Sequence, residues 1–240
     1  MSEKHYIVEA FSEISSRYEQ VVDAELQRFW GWSYDGFVNH LVEMTEIQTG
    51  DRLLDVATGT SVIPLKLVSR GDPLGKIIGL DITYSMLEKG RKKISKRGVG
   101  ELISSVCANA MAMPFQNGWF DVILCGLATH HLDVSILLDE MSRLLRPGGR
   151  LTIADVGGSA AWRRPPISWA IRTATFIYFL PKEGYARARA ESAALTHVLT
   201  PSEWKEHLVA RQFKGVCVEQ LEKKRAWVPA PLLIRAIKPS

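Results

Sequence analysis

Leu53-Leu54-Asp55-Val56-Ala57-Thr58-Gly59-Thr60-Ser61 is the stretch on which the fold of this chain turns. An apolar run ends on an acid, a loop of small residues follows at once, and Val62 to Val68 reads as the start of a helix. Strand, tight turn and helix N-terminus make the first crossover of a nucleotide-binding α/β sheet. Gly59 has no side chain and its neighbours are short, so the backbone there can lie close to a ligand. The G-x-G-x-x-G fingerprint of dinucleotide sites is absent, because Ala57 and Ser61 stand at two of the glycine-like positions.

Outward from this loop the chain alternates strand and helix. Residues 52–56 read as the first strand, 76–80 as a second ending at Asp81, 102–106 as a third, 120–125 as a fourth and 150–155 as a fifth. Between them, 83–96 reads as a helix with Thr83 at its N-cap. Leu132 to Leu145 forms an amphipathic helix with Val134, Leu137, Leu138, Met141, Leu144 and Leu145 on one face, halted by Pro147-Gly148-Gly149. Ahead of the sheet, Val21, Val22, Leu26, Phe29 and Trp30 recur at helical spacing. Past Val156 the alternation gives way to a long aromatic insertion with Pro165-Pro166 in tandem, followed by an Ala/Arg-rich tract. Thr200-Pro201 then opens a helix, and 213–221 and 232–238 read as closing strands. The expected architecture is α/β: a Rossmann-like, doubly wound, mostly parallel seven-stranded sheet with an N-terminal helical cap and a lid insertion after strand five. One domain is expected over 1–240, with a cap at 9–48, a core at 50–156, the lid at 157–200 and a closing helix and strands at 201–240.

Composition narrows the function. The chain has 240 residues, 46% hydrophobic and 23% charged, enough to bury a core without disulfides or metal. Its net charge of +4 comes with no concentrated basic stripe, so nucleic acid is not an expected partner. Arg91-Lys92-Lys93 and Lys96-Arg97 fall on a helix and read as a solvated face. Cys107, Cys125 and Cys217 are far apart, with no C-x-x-C spacing, so no metal site is expected. Cys107 and Cys125 sit in or beside apolar runs and are expected to be buried. The apolar stretch 167–180 is broken by Arg172 and is too short for an integral membrane segment. The first residues show no signal-peptide pattern, and a cytoplasmic location is expected.

In a doubly wound sheet the ligand sits beyond the carboxyl ends of the strands. Strand one ends at Asp55 and the Thr58-Gly59-Thr60 turn. Strand two ends at Asp81, where an acid grips ribose hydroxyls, since a carboxylate only accepts and two vicinal hydroxyls donate. Ala108-Asn109-Ala110 follows strand three, and Gly126 with Leu127-Ala128-Thr129-His130-His131 follows strand four. Together these suit a nucleoside with a polar tail.

Through these motifs and their order the chain resembles the class I S-adenosylmethionine-dependent methyltransferases. The resemblance rests on Leu54 to Thr60, Gly79 to Thr83 with Met86-Leu87, Ala108-Asn109-Ala110 with Met113-Pro114-Phe115, Phe120-Asp121, and Arg143 to Gly149. The Asp-x-Ala-x-Gly-Thr form of the first motif, the Asn-Ala pair and Phe11 with Arg17-Tyr18 point to the ubiquinone/menaquinone biosynthesis branch. The resemblance implies S-adenosylmethionine as cofactor and a small acceptor, hydrophobic or aromatic, methylated on O, N or C. It implies cofactor contacts from Tyr18, Asp55, Thr58, Gly59, Thr60, Asp81, Ile82, Met86, Asn109, Ala110 and Gly126, with Asp55 near the methionine end, Asp81 on the ribose and Asn109-Ala110 at the adenine.

Two departures stand out. Ser61 replaces the family's glycine. Thr129-His130-His131 replaces the Arg-Asn pair of the quinone enzymes, and their Tyr-x-Tyr-Leu signature after strand five is missing. His130 and His131 are the candidate catalytic residues, since imidazole accepts a proton near neutrality; the alternative is that they only shape the pocket. Trp162, Trp169, Phe176, Tyr178 and Phe179 are either core or a lid over a lipophilic substrate, and Arg163, Arg164 and Arg172 either solvated or facing an anionic substrate or lipid head groups. Transient membrane-surface contact and a monomer or homodimer fit this reading. The competing functions are a cofactor-binding protein of the same fold with a regulatory or other role, and a domain for NAD or a similar nucleotide.

Overall fold

The computed structural model describes residues 3–72, 74–225 and 228–239. Three helices come first: α1 (Glu3–Ile14), α2 (Tyr18–Phe29) and α3 (Tyr34–Glu43). The alternating part follows as β1 (Leu53–Val56), α4 (Val62–Ser69), β2 (Ile77–Asp81), α5 (Tyr84–Lys96), β3 (Ile103–Cys107), β4 (Phe120–Gly126), α6 (Val134–Leu144) and β5 (Leu145–Asp155). A long kinked α7 (Pro165–Ala194), then α8 (Pro201–Ala210), β6 (Lys214–Gln220) and β7 (Leu232–Ile237) complete it.

The seven strands form one sheet in the order β3-β2-β1-β4-β5-β7-β6. β1 to β5 pair in parallel, and β7 inserts antiparallel between β5 and β6. The order reverses between β1 and β4, where Leu54 pairs with Ile123 and Val56 with Cys125. The crossovers that leave β1 and β4 run toward opposite edges of the sheet, which opens a crevice at the strands' carboxyl ends. β1 is buried on both faces, as a central parallel strand requires. Its alternation sends Leu54 and Val56 to a layer with α6 and α8, and Leu53 to a layer with the N-terminal helices and α4.

Local chemistry sets the element ends. Asp133 caps α6 by accepting from the amides of Ser135 and Ile136, so Leu132, expected inside the helix, lies outside it. Thr200 and Glu203 form a reciprocal capping box on α8, with Pro201 in its first turn. Pro165 and Pro166 open α7, where their missing amides cost nothing. The expected burial of Cys107 is corrected: Cys125 is buried on β4, but Cys107 is exposed, because β3 is an edge strand. The Ala/Arg-rich tract is helical, and Ala186 and Ala190 pack on Ala10 of α1.

Candidate active site

The first loop is strained and tightly fastened. Ala57 and Ser61 adopt left-handed φ values of 58° and 60°. Glycine takes this conformation without steric cost, which is why glycine suits both positions. Ser61 is nevertheless accommodated, because a Cβ on Gly90 of α5 would lie only 2.4 Å from its Oγ. Gly90 makes the room that Ser61 fills. Asp81 Oδ2 accepts from the Gly59 amide at 2.8 Å, and Oδ1 accepts from the Thr83 amide at 2.8 Å. Thr83 holds the cap position of α5 without a side-chain cap bond of its own; Asp81 serves the helix end instead. Burial pushes the Asp81 carboxyl up, opposed by the backbone amides of Thr83 and Gly59.

Beyond β1, β2 and β4 lies a cavity of about 550 Å³. Of the residues expected at the cofactor, Tyr18, Gly59, Asp81, Ile82, Met86, Asn109, Ala110 and Gly126 line it. A Cβ on Gly126 would press on the far ends of Ile63, at 2.9 Å from Cδ1, and Leu41, at 3.3 Å from Cδ2. Asn109 also closes its own turn, its Oδ1 accepting from the Met111 amide at 3.1 Å.

Three expected residues lie behind the wall. Thr58 packs under Gly79. Thr60 donates to Glu19 Oε1 at 2.6 Å and accepts from Lys93 Nζ at 3.1 Å, so its hydroxyl joins α2 to α5. Asp55 is fully buried, with no cationic side chain paired to it among the described residues, and only the Thr58 hydroxyl opposes the effect of burial. Burial pushes its carboxyl up to about 7. A buried acid without a cationic partner beneath the cavity, and a second acid on the cavity wall, fit a nucleoside joined to a cationic amino-acid end, because such a ligand supplies the missing opposite charge.

A second cavity, about 460 Å³, adjoins the first and shares with it Phe11, Tyr18, Leu127 and His131. Val22, Leu26, Phe29 and Trp30 from α2 and its end, Trp162, and Ile171 and Phe179 of α7 make it mostly apolar. Its polar groups cluster at the junction. His130 Nδ1 lies 2.6 Å from Asp155 Oδ1, and Asp155 also accepts from the Thr129 hydroxyl and the Val156 amide. Burial pulls the His130 pKa down, but the Asp155 charge and hydrogen bond prevail and raise it. His131, whose ring centroid is 4.2 Å from that of His130, is lowered by burial and by His130, against the opposing pull of Glu191. His131 Nε2 is 3.4 Å from Glu191 Oε1, while its buried Nδ1 is unpartnered among the described residues. Arg187 lies 3.0 Å from the same Glu191 oxygen and sits over the Phe11 ring, its Nε and Nη1 unpartnered. Glu25 accepts from Arg187 at 3.4 Å and is raised by burial to about 7.

Among the described residues, His130, His131 and Glu191 alone lie close enough together to share a metal ion. The positive charge of Arg187 already occupies the Glu191 oxygen, which makes the trio an ion-pair network rather than a cation cradle. Asp155, Glu25, Arg187 and Glu191 are site residues not anticipated from the sequence. Asp155 ends β5 as Asp55 and Asp81 end or near the ends of theirs, and the strand-end rule reaches it. Arg187 and Glu191 show only an i, i+4 pair among alanines.

Comparisons with known proteins agree with this geometry. The model of the ubiE/COQ5 methyltransferase family matches residues 1–191. A demethylmenaquinone methyltransferase of Symbiobacterium thermophilum is 32% identical over 182 residues, covering 74% of this chain and 68% of its own length. A ubiquinone/menaquinone biosynthesis C-methyltransferase UbiE of Xylella fastidiosa is 32% identical over 167 residues, 68% of this chain and 63% of its own length. The match thus spans about two thirds of these relatives. In fold, the geranyl diphosphate C-methyltransferase of Streptomyces coelicolor, solved with S-adenosyl-L-homocysteine, superposes with a TM-score of 0.66 at 17% identity, covering 92% of this chain and 84% of that one. The Haemonchus contortus phosphoethanolamine N-methyltransferase 2, solved with S-adenosyl-L-methionine, gives 0.67 at 15%, covering 88% and 54%. With a family match over residues 1–191 and a cavity at the sheet's switch point, this chain belongs to the ubiE/COQ5 methyltransferase family and is an S-adenosylmethionine-dependent methyltransferase.

Proposed function

We propose that the acceptor is a phenol- or hydroquinone-type ring carrying an apolar substituent, methylated at a ring carbon. The observation that carries this reading is the apolar second cavity meeting the cofactor cavity at His131, with every charged group of its wall gathered at or near that junction. The relatives' named reaction, C-methylation in ubiquinone and menaquinone biosynthesis, is of this class.

On this reading Asp81 holds the ribose hydroxyls, with a free lone pair on each oxygen beyond its backbone bonds. Asn109, Ala110 and Ile82 receive the adenine, Met86 and Gly59 flank the nucleoside, and Tyr18 closes over it. Asp55 acts from beneath on the cationic methionine end, and Gly126 lines the wall at the end of β4. When bound, the cofactor supplies a methyl group made electrophilic by its sulfonium. The chain's own part is to orient the ring, exclude water and move protons.

His131 takes the acceptor's hydroxyl proton on Nδ1 and returns it to the oxygen when the methylated ring carbon loses its own hydrogen as a proton to solvent and the ring regains aromaticity. The lowered pKa of His131 keeps it neutral at physiological pH, and Glu191 beside Nε2 favours the proton on that nitrogen, leaving Nδ1 a lone pair. His130, raised by the Asp155 charge and hydrogen bond, is the member of the pair that favours the charged form, and as imidazolium it would stabilise the developing phenolate. Two titratable neighbours driven apart by their surroundings divide acid and base roles in this way. The Nε and Nη1 donors of Arg187 serve a second ring oxygen.

Transfer of radiolabelled methyl to a panel of phenols, hydroquinones and amines tests the proposal. Phenols or hydroquinones with an apolar side chain are expected to be methylated on carbon. His131→Gln is expected to lower kcat by about 10²- to 10⁴-fold with cofactor affinity unchanged. Transfer to amines alone, or full turnover in His131→Gln, overturns it.

A further inference from the structure

The first half of α7 is apolar on two sides, and only one of them faces protein. Ile171, Thr175 and Phe179, at i, i+4 and i+8, line the second cavity. On the side turned to solvent stand Ile167, Trp169, Ala170, Ile177 and Leu180. Trp169 is 73% exposed and Ile177 64%, among the most exposed large apolar side chains described. Large apolar groups gathered on one exposed face mark a binding surface rather than scattered surface residues.

The charges around this face say what covers it. From Gly157 to Lys182 there is no acidic residue, while Arg163, Arg164, Arg172 and Lys182 fall in the same span. Arg163 is taken up by Glu203. Arg164 and Arg172 are exposed and make no ion pair among the described residues, and Lys182 is exposed with its ammonium against the Tyr178 ring. At 100° per residue, Arg172 and Lys182 fall about 60° beyond the two ends of the apolar arc, and Arg164 is the extended N-cap at the start of the helix. An exposed apolar face with a tryptophan, edged on both flanks by cations and free of acids, matches an anionic lipid surface and no polar protein face. No described helix is long and apolar enough to cross a membrane, so the contact is one of lying on the surface.

We propose that α7 docks this protein on anionic bilayers, with Ile167, Trp169, Ile177 and Leu180 entering the headgroup boundary and Arg164, Arg172 and Lys182 meeting lipid phosphates. The helix that touches lipid with one face walls the second cavity with the other, so a lipophilic molecule has a short path between them. The surface does not depend on the identity of the acceptor, and its test reads lipid binding rather than turnover.

The test is co-sedimentation of the full chain with phosphatidylcholine vesicles, with and without phosphatidylglycerol. Wild type is expected to bind the anionic vesicles and to be released by high salt. Arg172→Ala is expected to weaken binding about fivefold, one charge's share of the attraction. Ile177→Glu and Trp169→Glu each are expected to weaken it about tenfold or more while keeping native circular dichroism and cofactor affinity. Ile136→Glu, which alters an exposed apolar residue on α6, is expected to bind as wild type. Absence of binding, or wild-type binding by Ile177→Glu, overturns the proposal. So does a homodimer in sedimentation velocity that Ile177→Glu converts to monomer, since the face then belongs to a second copy.

Discussion

Ser61 and Gly90 are one feature seen from two elements. A serine held at φ 60° bears about 1–2 kcal/mol of left-handed strain and buries a hydroxyl with no partner among the described residues. Ser61→Gly is therefore expected to stabilise the fold by about 1 kcal/mol, read as a higher Tm. Gly90→Ala in the wild-type background places a methyl against Ser61 Oγ and is expected to destabilise by about 1–3 kcal/mol. Combining the two substitutions relieves the clash, so the double mutant is expected to sit well above the sum of its parts. Asp55 shows the opposite arrangement, stability given up for a site. Its pKa of about 7 is raised above the ordinary 3.9 of an unfolded aspartate. Its protonated form stabilises the fold fully below about pH 4, and that contribution is lost as pH rises through about 7. The contribution has an upper bound of about 4 kcal/mol. Asp55→Asn, compared with wild type in cofactor-free denaturation, is expected to gain stability from pH 4 to pH 8. Binding of cofactor by the same variant is expected to weaken about tenfold or more.

At the scale of elements, α7 is two helices joined at Gly184, whose φ 81° and ψ 179° belong to a region open only to glycine. Space is not the constraint, since a Cβ there would come no closer than 3.7 Å to Glu13 Oε2. Gly184→Ala is expected to cost about 1–3 kcal/mol from backbone strain alone, visible in thermal unfolding. It is also expected to lower kcat, because Arg187 and Glu191 ride on the segment the kink directs. Gly184→Asn is expected to fare no better, as asparagine's left-handed preference lies near ψ 47°. The same helix marks where sequence stops being informative. Strand β1, the loop after it, Asp81 and the apolar face of α6 were legible because periodicity and strand-end position are local properties. The layered sheet follows from them almost without choice. The Thr60 hydroxyl turns to Glu19 and Lys93, because a loop's position says that its backbone nears the ligand and not where a hydroxyl turns. Arg187 and Glu191 meet His131 only through the packing of α1 on α7, and no local pattern encodes that. Asp155 was legible in principle, as the acid ending β5, but only its contact with His130 gives it a role.

For the whole molecule, the N-terminal helices close a site that the sheet only begins. Phe11 and Tyr18 line both cavities, and Arg187 of α7 stacks over Phe11. Glu19 of α2 reaches Thr60 in the first loop and Lys93 of α5. A ligand filling the first cavity therefore bears on α1, α2 and the sheet together, and binding must stabilise them as a unit. At 100 times its dissociation constant, cofactor product is expected to add about 2.7 kcal/mol to stability. Amide exchange in α1 is expected to slow along with that in the β1–α4 loop. Asp81→Ala removes a charged acceptor at the ribose and frees the Gly59 amide, so it is expected to weaken cofactor binding about tenfold or more. Under the same ligand concentration its thermal shift and the protection of α1 are expected to fall together. Protection of α1 that survives in Asp81→Ala would show that the cap closes without the loop, and that the two halves of the site are independent.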